Sequence, residues 1–206
     1  MIRSEAIRTV AFGTLAEGDG RKDPDARRRM SSSIGIPDAW ATITQVHGAT
    51  VLRATAAAAL GQADGVWTAE RDLPIVVATA DCVPVAIEAA GAIGLVHAGW
   101  RGVVCGVVPA TIEAMAAEGH IPERAVLGPH IGPCCYEVGG EVIAAVGGHA
   151  SRTTWGTVSL DLAGAIREQL EGMSVDQVAI CTRDDDRFSS HRRDGTTHRQ
   201  VTVAWR

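Results

Sequence analysis

No stretch of this 206-residue chain approaches the about 18 consecutive apolar residues of a membrane span. The opening MIRSEAIRTVAFGT has no apolar leader core and no small-residue cleavage site. These absences predict a cytoplasmic protein with no membrane partner. A basic stripe is missing too. Nineteen Lys and Arg against 24 Asp and Glu leave a net charge of −5, and only ARRRM gathers cations. A dedicated nucleic-acid surface is therefore excluded. CxxC, HExxH and His-x-His motifs are all absent, which removes the compact zinc signatures and the repeated histidine pairs that feed a laccase copper cluster. Five cysteines (82, 105, 134, 135 and 181) are an odd number in apolar or glycine-rich surroundings. Without a secretion signal they predict reduced thiols and no disulfide framework.

Internal repeats and long linkers are lacking as well, and the length suits one or two domains of about 100–200 residues. What is present is a series of short runs rich in β-branched residues and bounded by turn formers. IRTVAF, WATITQV, PIVVATA, VPVAIEA, AIGLVHA, RAVLGP, TVSLDL, QVAICT and QVTVAW read as strands. DPDARRRMSSSIG reads as a solvated helix with Asp23 or Asp25 at its start and Gly35 at its stop. VVCGVVPATIEAMAAEG and LAGAIREQLEGM read as helices, the first carrying Pro109 in an early turn or a kink, the second capped by Asp161. RATAAAALGQ fits a turn of helix or a loop. Strands outnumber helices and interleave with them irregularly, which predicts one α/β domain over residues 1–206 with a mixed sheet.

Reactive side chains interrupt the apolar runs at three strand ends. TQVHGATV carries Gln45 and His47 into a glycine; VATADCVPVAI places Asp81 and Cys82 before Pro84; IGLVHAGWRG ends in His97. Two imidazoles and a thiolate form a sound zinc ligand set that leaves a fourth position open. The competing reading is an inert core cysteine with two hydrogen-bonded histidines. Arg101, at the opening of a helix, suits an anion such as phosphate, or pairs with a neighbouring carboxylate. GPHIGPCCYEVGGEV, with Cys134, Cys135 and Tyr136, is a rigid loop suited to lining a pocket. SSHRRDGTTHR offers His191, Arg192, Arg193 and Arg199 as a substrate-anion site or a solvated loop.

QVHG, ADGVWT, TADCVPV, HAGWRG, GPHIGPCCYEVGGEV and FSSHRRDG occur together in one order, and in that order they resemble the YfiH family of laccase-domain proteins from about residue 40 onward. The resemblance implies a layered α-β-β-α sandwich with mixed sheets, like the cytotoxic necrotizing factor fold. It implies a zinc-dependent purine nucleoside phosphorylase acting on adenosine, guanosine, inosine and methylthioadenosine, with adenosine deaminase activity from the same site. His47, Cys82 and His97 match the family's zinc ligands. Asp81 and Arg101 are the expected catalytic residues, with Asp64 an alternative to Asp81 as the carboxylate that moves protons in deamination. Gln45, Arg101, Cys135, Tyr136 and Arg193 are the expected substrate contacts. The partners expected are purine nucleosides and inorganic phosphate, with the chain a monomer or weak homodimer. Three departures stand out: FGTLAEGDG is short and lacks the family's arginine, Thr197-His198-Arg199 replaces Thr-Gly-Arg, and His130 stands where a small residue is usual. Copper-dependent phenol oxidation and a Cys82–His hydrolase that edits peptidoglycan precursors are the alternative readings.

Overall fold

Alternation of apolar side chains along the strands decides the layering. The computed structural model describes residues 1–206. One six-stranded sheet contains Ile2–Arg3 (β1), Val10–Phe12 (β2), Ala41–Thr44 (β3), Ala59–Gln62 (β5), Ile75–Thr79 (β7) and Gln200–Ala204 (β14), in spatial order β1-β2-β14-β7-β3-β5. The other contains Val51–Arg53 (β4), Gly65–Thr68 (β6), Val83–Ala89 (β8), Ala92–Ala98 (β9), Pro122–Leu127 (β10) and Ser174–Gln177 (β13), in order β13-β10-β8-β9-β6-β4. Ala150–Arg152 (β11) and Val158–Leu160 (β12) form a separate pair. The helices are Pro24–Ile34 (α1), Trp100–Val104 (α2), Val107–Ala116 (α3), Gly140–Ala145 (α4), Leu162–Gln169 (α5) and His191–Asp194 (α6).

Successive strand residues face opposite ways. Ile75 and Val77 of β7 therefore meet Ala86, Ile93, Leu95 and Val126 of the second sheet, forming the core between the sheets. Val76 and Ala78 turn outward with Val201 and Val203, onto Met30 of α1 and Trp40. On the far side, Val83, Val85, Ile87 and Val96 pack on Val107, Val108 and Met115 of α3 and on Leu162, Ala165 and Ile166 of α5. The result is helix, sheet, sheet, helix, with both sheets mixed. No helix is long and apolar enough to cross a membrane.

The caps follow the sequence. The Asp23 side chain accepts from the backbone N–H groups of Asp25 and Ala26, Gly35 closes α1 at φ 73°, and Asp161 accepts from Gly164 N–H at the start of α5. Elsewhere the structure departs from the reading. The single helix expected over 103–119 is two, because Gly106 adopts φ 80° after Cys105 ends α2. Pro109 then falls in the first turn of α3, where its missing N–H costs nothing. The strand expected at QVAICT ends at Gln177, and beyond it only Cys181 bridges His130. The end of RATAAAALGQ is β5.

Leu95 is fully buried between the sheets. Leu95→Ala should destabilise the fold by about 2–5 kcal/mol, read by chemical denaturation. A loss below about 1 kcal/mol, the size of an ordinary surface change, would contradict close packing there.

Candidate metal centre

Strand register assembles the site. Pairing of Val83 with Ala98 and Pro84 with His97 sets Cys82, one residue before β8, across from Gly99. Pairing of Gly65 with Val96 sets Asp64 across from His97, whose N–H donates to the Asp64 carbonyl at 2.7 Å. The Asp64 carboxylate is fully buried. It accepts from the backbone N–H groups of Val46 (3.2 Å), His47 (3.0 Å) and Gly48 (2.7 Å), and lies 2.8 Å from His97 Nδ1. Burial opposes its charge, but the hydrogen bonds from His97, Gly48 and His47 outweigh that and hold its pKa below the usual range. An ionised carboxylate only accepts, so Nδ1 keeps its proton and Nε2 is the nitrogen that meets a cation once its own proton is displaced.

The ligand atoms of His47, Cys82 and His97 all lie within 4.8 Å of one another, with the two imidazoles edge-on at 74°. Gly99 completes the cradle: a Cβ there would sit 3.0 Å from Cys82 Sγ and 3.1 Å from His47 Cδ2. Burial opposes ionisation of Cys82, yet hydrogen bonds from His47 and His97 lower its thiol to about 6. Burial likewise works against the His97 cation, but Asp64 and Cys82 raise it to about 9. A thiolate and two imidazoles at this spacing fit a tetrahedral cation with one position open.

His47 and Cys82 border a cleft of about 330 Å³, within the usual range for small-molecule pockets, while the buried His97 shares a separate hollow with His47. Asp81, Trp100, Arg101, Tyr136, His191, Arg192 and Arg199 also line it. Arg101 makes no ion pair with a carboxylate; its guanidinium stacks 4.3 Å from the Trp100 ring. Arg192 lies 5.0 Å over the Tyr136 ring and donates to the Glu137 carbonyl at 2.5 Å. Burial, with the Cys82 charge beside it, pushes the Tyr136 phenol up to about 12, so it remains a proton donor. Asp81 is buried at φ 86°, and its two oxygens accept from Thr182 Oγ1 (2.8 Å) and Arg192 N–H (2.7 Å).

The other expected contacts stand outside this cleft. Gln45 accepts from Ala78 N–H (2.9 Å) and donates to the Ala78 carbonyl (2.7 Å), extending the pairing of β3 with β7 through its side chain. Arg21 donates to the same Gln45 oxygen at 3.0 Å. Cys135 points its sulfur at Asp184 (3.1 Å). Arg193 donates to the carbonyls of Thr182 (3.2 Å), Arg183 (3.1 Å) and Phe188 (2.8 Å), and pairs with Asp194. Its neighbour Arg192 is the one that reaches the cleft, since adjacent helical residues point about 100° apart. Arg199 lines the cleft despite the His198 departure, and His130 is buried with Nδ1 2.7 Å from the Gly128 carbonyl.

A family model described as multi-copper polyphenol oxidoreductase laccase matches residues 5–206. A protein of Streptomyces griseus named purine nucleoside phosphorylase is 40% identical, covering 97% of this chain and 89% of its own. One of Streptomyces coelicolor with the same name is 39% identical, covering 92% and 85%. Among solved structures, YlmD from Geobacillus stearothermophilus superposes with a TM-score of 0.81 at 31% identity, covering 91% of this chain and 82% of its own. The YfiH protein of Bacillus licheniformis gives 0.80 at 25% identity over the same shares.

Asp64→Asn keeps the shape of the anchor but offers an amide where His97 needs an acceptor, favouring the tautomer that blocks Nε2. The variant should stay folded and lose about 10–100-fold in metal affinity, measured by competition with a chromophoric chelator. Unchanged affinity would overturn the role given to Asp64.

Proposed function

The chain belongs to the family described as multi-copper polyphenol oxidoreductase laccase, and from that premise we propose that it is a zinc-dependent purine nucleoside phosphorylase of broad specificity, built as one catalytic domain over 1–206. The names of its relatives support this reading. One observation carries it: a single cleft joins His47 and Cys82, two members of the His–Cys–His donor set, to three arginines, with only one acidic side chain among its lining. Such a cleft suits a substrate that is part neutral heterocycle and part anion. The substrates would be adenosine, guanosine, inosine and methylthioadenosine, with inorganic phosphate.

His47, Cys82 and His97 would hold the ion, which when bound supplies Lewis-acid polarisation of a substrate atom. In phosphorolysis, a phosphate oxygen bonds to C1′ of the ribose as the C1′–N9 bond breaks, and that electron pair leaves with the purine. Arg101, free of any carboxylate partner, would bind the phosphate dianion, with Arg192 and Arg199 beside it. Tyr136 would donate a hydrogen bond to the nucleoside. Asp81 would fix the Arg192 backbone from beneath. Gln45, Cys135 and Arg193 would act from behind the cleft wall, positioning His47, Tyr136 and Arg192.

Adenosine deamination in the same cleft is a second reading, favoured by the Asp81 carboxylate beside Cys82. There water adds to C6, the C6–N6 bond breaks, ammonia leaves, and Asp81 would relay the proton. Copper-dependent phenol oxidation, which the family's description invites, has no His-x-His pairs here to build a copper cluster.

Incubation of adenosine with and without phosphate, read by chromatography, separates the reactions. Adenine and ribose 1-phosphate should appear only with phosphate. Inosine formed regardless of phosphate would make deamination the principal reaction, and turnover by demonstrably metal-free protein would point instead to Cys82 as a nucleophile.

Arg101→Ala should raise the KM for phosphate about 10–100-fold, the loss of one charged hydrogen bond of about 1.5–3 kcal/mol, and leave bound zinc unchanged. Zinc lost together with the fold would make Arg101 structural.

A further inference from the structure

A second group of soft ligands lies outside the His47, Cys82 and His97 set. Cys134, Cys135, Cys181 and Asp184 bring three sulfurs and a carboxylate within 4.8 Å of one another. Cys134 and Cys135 sulfurs are 3.4 Å apart, and the two Asp184 oxygens lie 3.6 Å from Cys134 Sγ and 3.1 Å from Cys135 Sγ. A tetrahedron with sulfur arms of about 2.3 Å has edges of about 3.8 Å, so these separations need shifts of an ångström or less to close on one ion.

The backbone prepares this arrangement. Cys135 and Tyr136 N–H groups both donate to the Gly132 carbonyl at 3.0 Å, folding residues 132–136 into a turn that presents both sulfurs. Cys181 is brought alongside by its bridge to His130, with Thr182 N–H donating to the His130 carbonyl at 2.9 Å. Gly132 N–H donates to Cys181 Sγ at 3.3 Å, and a Cβ on Gly132 would stand 3.3 Å from Cys134 Sγ and 3.8 Å from Cys181 Sγ. The glycine thus leaves a hollow facing the sulfurs. All five cysteines are free.

We propose that Cys134, Cys135, Cys181 and Asp184 form a second, structural metal site for a thiophilic divalent cation of the zinc class. Four protein donors fill a tetrahedron and leave no open position, the mark of a structural site. Three thiolates and a carboxylate around a divalent cation carry a net charge of −2, and Arg183, adjacent in sequence to Asp184 and lining the same neighbouring cleft as Cys135, offsets it. Binding releases the thiol protons to solvent and needs no oxidant or reductant. The ion would clamp the turn that ends in Tyr136 to the segment that carries Thr182, the hydroxyl donor to Asp81. It would therefore brace one wall of the cleft from outside.

The test uses the full reduced chain with Cys82→Ala, which removes the only thiolate of the first set, and cobalt(II) as the probe. One equivalent should bind with the sulfur-to-cobalt charge-transfer absorption of several thiolates. Adding Cys181→Ser should abolish most of that absorption. Asp184→Asn, a change at the rim of the group, should keep the absorption and weaken affinity about 10-fold or more, at least what loss of an outer-shell partner costs. Absence of thiolate-to-cobalt absorption in reduced, folded Cys82→Ala protein would overturn the proposal. So would a Cys134–Cys135 disulfide that persists, by mass spectrometry, in protein kept under reductant.

Discussion

The candidate centre depends on one buried carboxylate. Asp64 sits where β6 begins in one sheet and receives three consecutive backbone N–H groups from the loop that leaves β3 of the other. It also holds the ring of His97 at the end of β9. A buried charge is costly unless its hydrogen-bonding capacity is filled. Here four donors fill it, so the lowest-energy arrangement of Asp64 is also the one that aims two imidazoles at a common point. The ligand geometry inherits the rigidity of both sheets because a single side chain ties them together. The His97 ring and the His47 backbone are already held when a cation arrives, which lowers the entropic cost of binding.

The third ligand comes from the place where the chain changes sheets. β7 ends at Thr79 in one sheet and β8 begins at Val83 in the other, so Ala80, Asp81 and Cys82 make the crossing. That crossing is tight enough to force Asp81 to φ 86°, and His47 on the facing loop stands at φ 62°. Left-handed backbone at non-glycine residues costs of order 1–3 kcal/mol each and persists only where the surroundings over-determine it. The surroundings are visible: Thr182 and Arg192 hold the Asp81 carboxylate, and the Asp64 carboxylate holds the His47 backbone. Gln45 adds a side-chain imitation of strand pairing between β3 and β7, just ahead of both strained residues. The polar residues at this corner thus stabilise backbone that the cleft requires.

Local features of the fold were legible in the sequence. Apolar runs rich in β-branched residues and bounded by turn formers located the long strands, and Asp23 and Asp161 marked the helix starts, because strand preference and capping are encoded within a few residues. His47, Cys82 and His97 stood out as polar groups ending apolar runs. What escaped was decided by distant partners. Val51–Arg53 and Gly65–Thr68 are three and four residues long, too short to show a period, and are strands because β9 and the β4–β6 pairing complete their hydrogen bonds. The choice of Arg192 over Arg193 for the cleft rests on Ser190 capping a single helical turn, after which Arg193 turns to four backbone carbonyls. The break after Cys105 did carry a signal, the Gly106-x-x-Pro109 spacing, which fits a stop and restart as well as a kink.

The two soft-ligand groups differ in a way that sorts their roles. The first has three donors, faces a cleft lined with arginines, and contains an exposed imidazole, His47. The second has four donors, one of them a carboxylate at the surface, and includes the buried Cys135. An incomplete coordination shell beside a cationic pocket suits chemistry on an anionic co-substrate, whereas a complete shell suits holding backbone in place. The groups are also linked through the chain: Tyr136, directly after Cys135, lines the cleft, and Thr182, directly after Cys181, holds Asp81. A cysteine pair that looks redundant in sequence is therefore adjacent to two residues that shape the cleft. Displacing the turn at 132–136 would move the phenol of Tyr136 and, through Thr182, the carboxylate beside Cys82, so the stiffness of that distant corner sets the stiffness of the cleft wall.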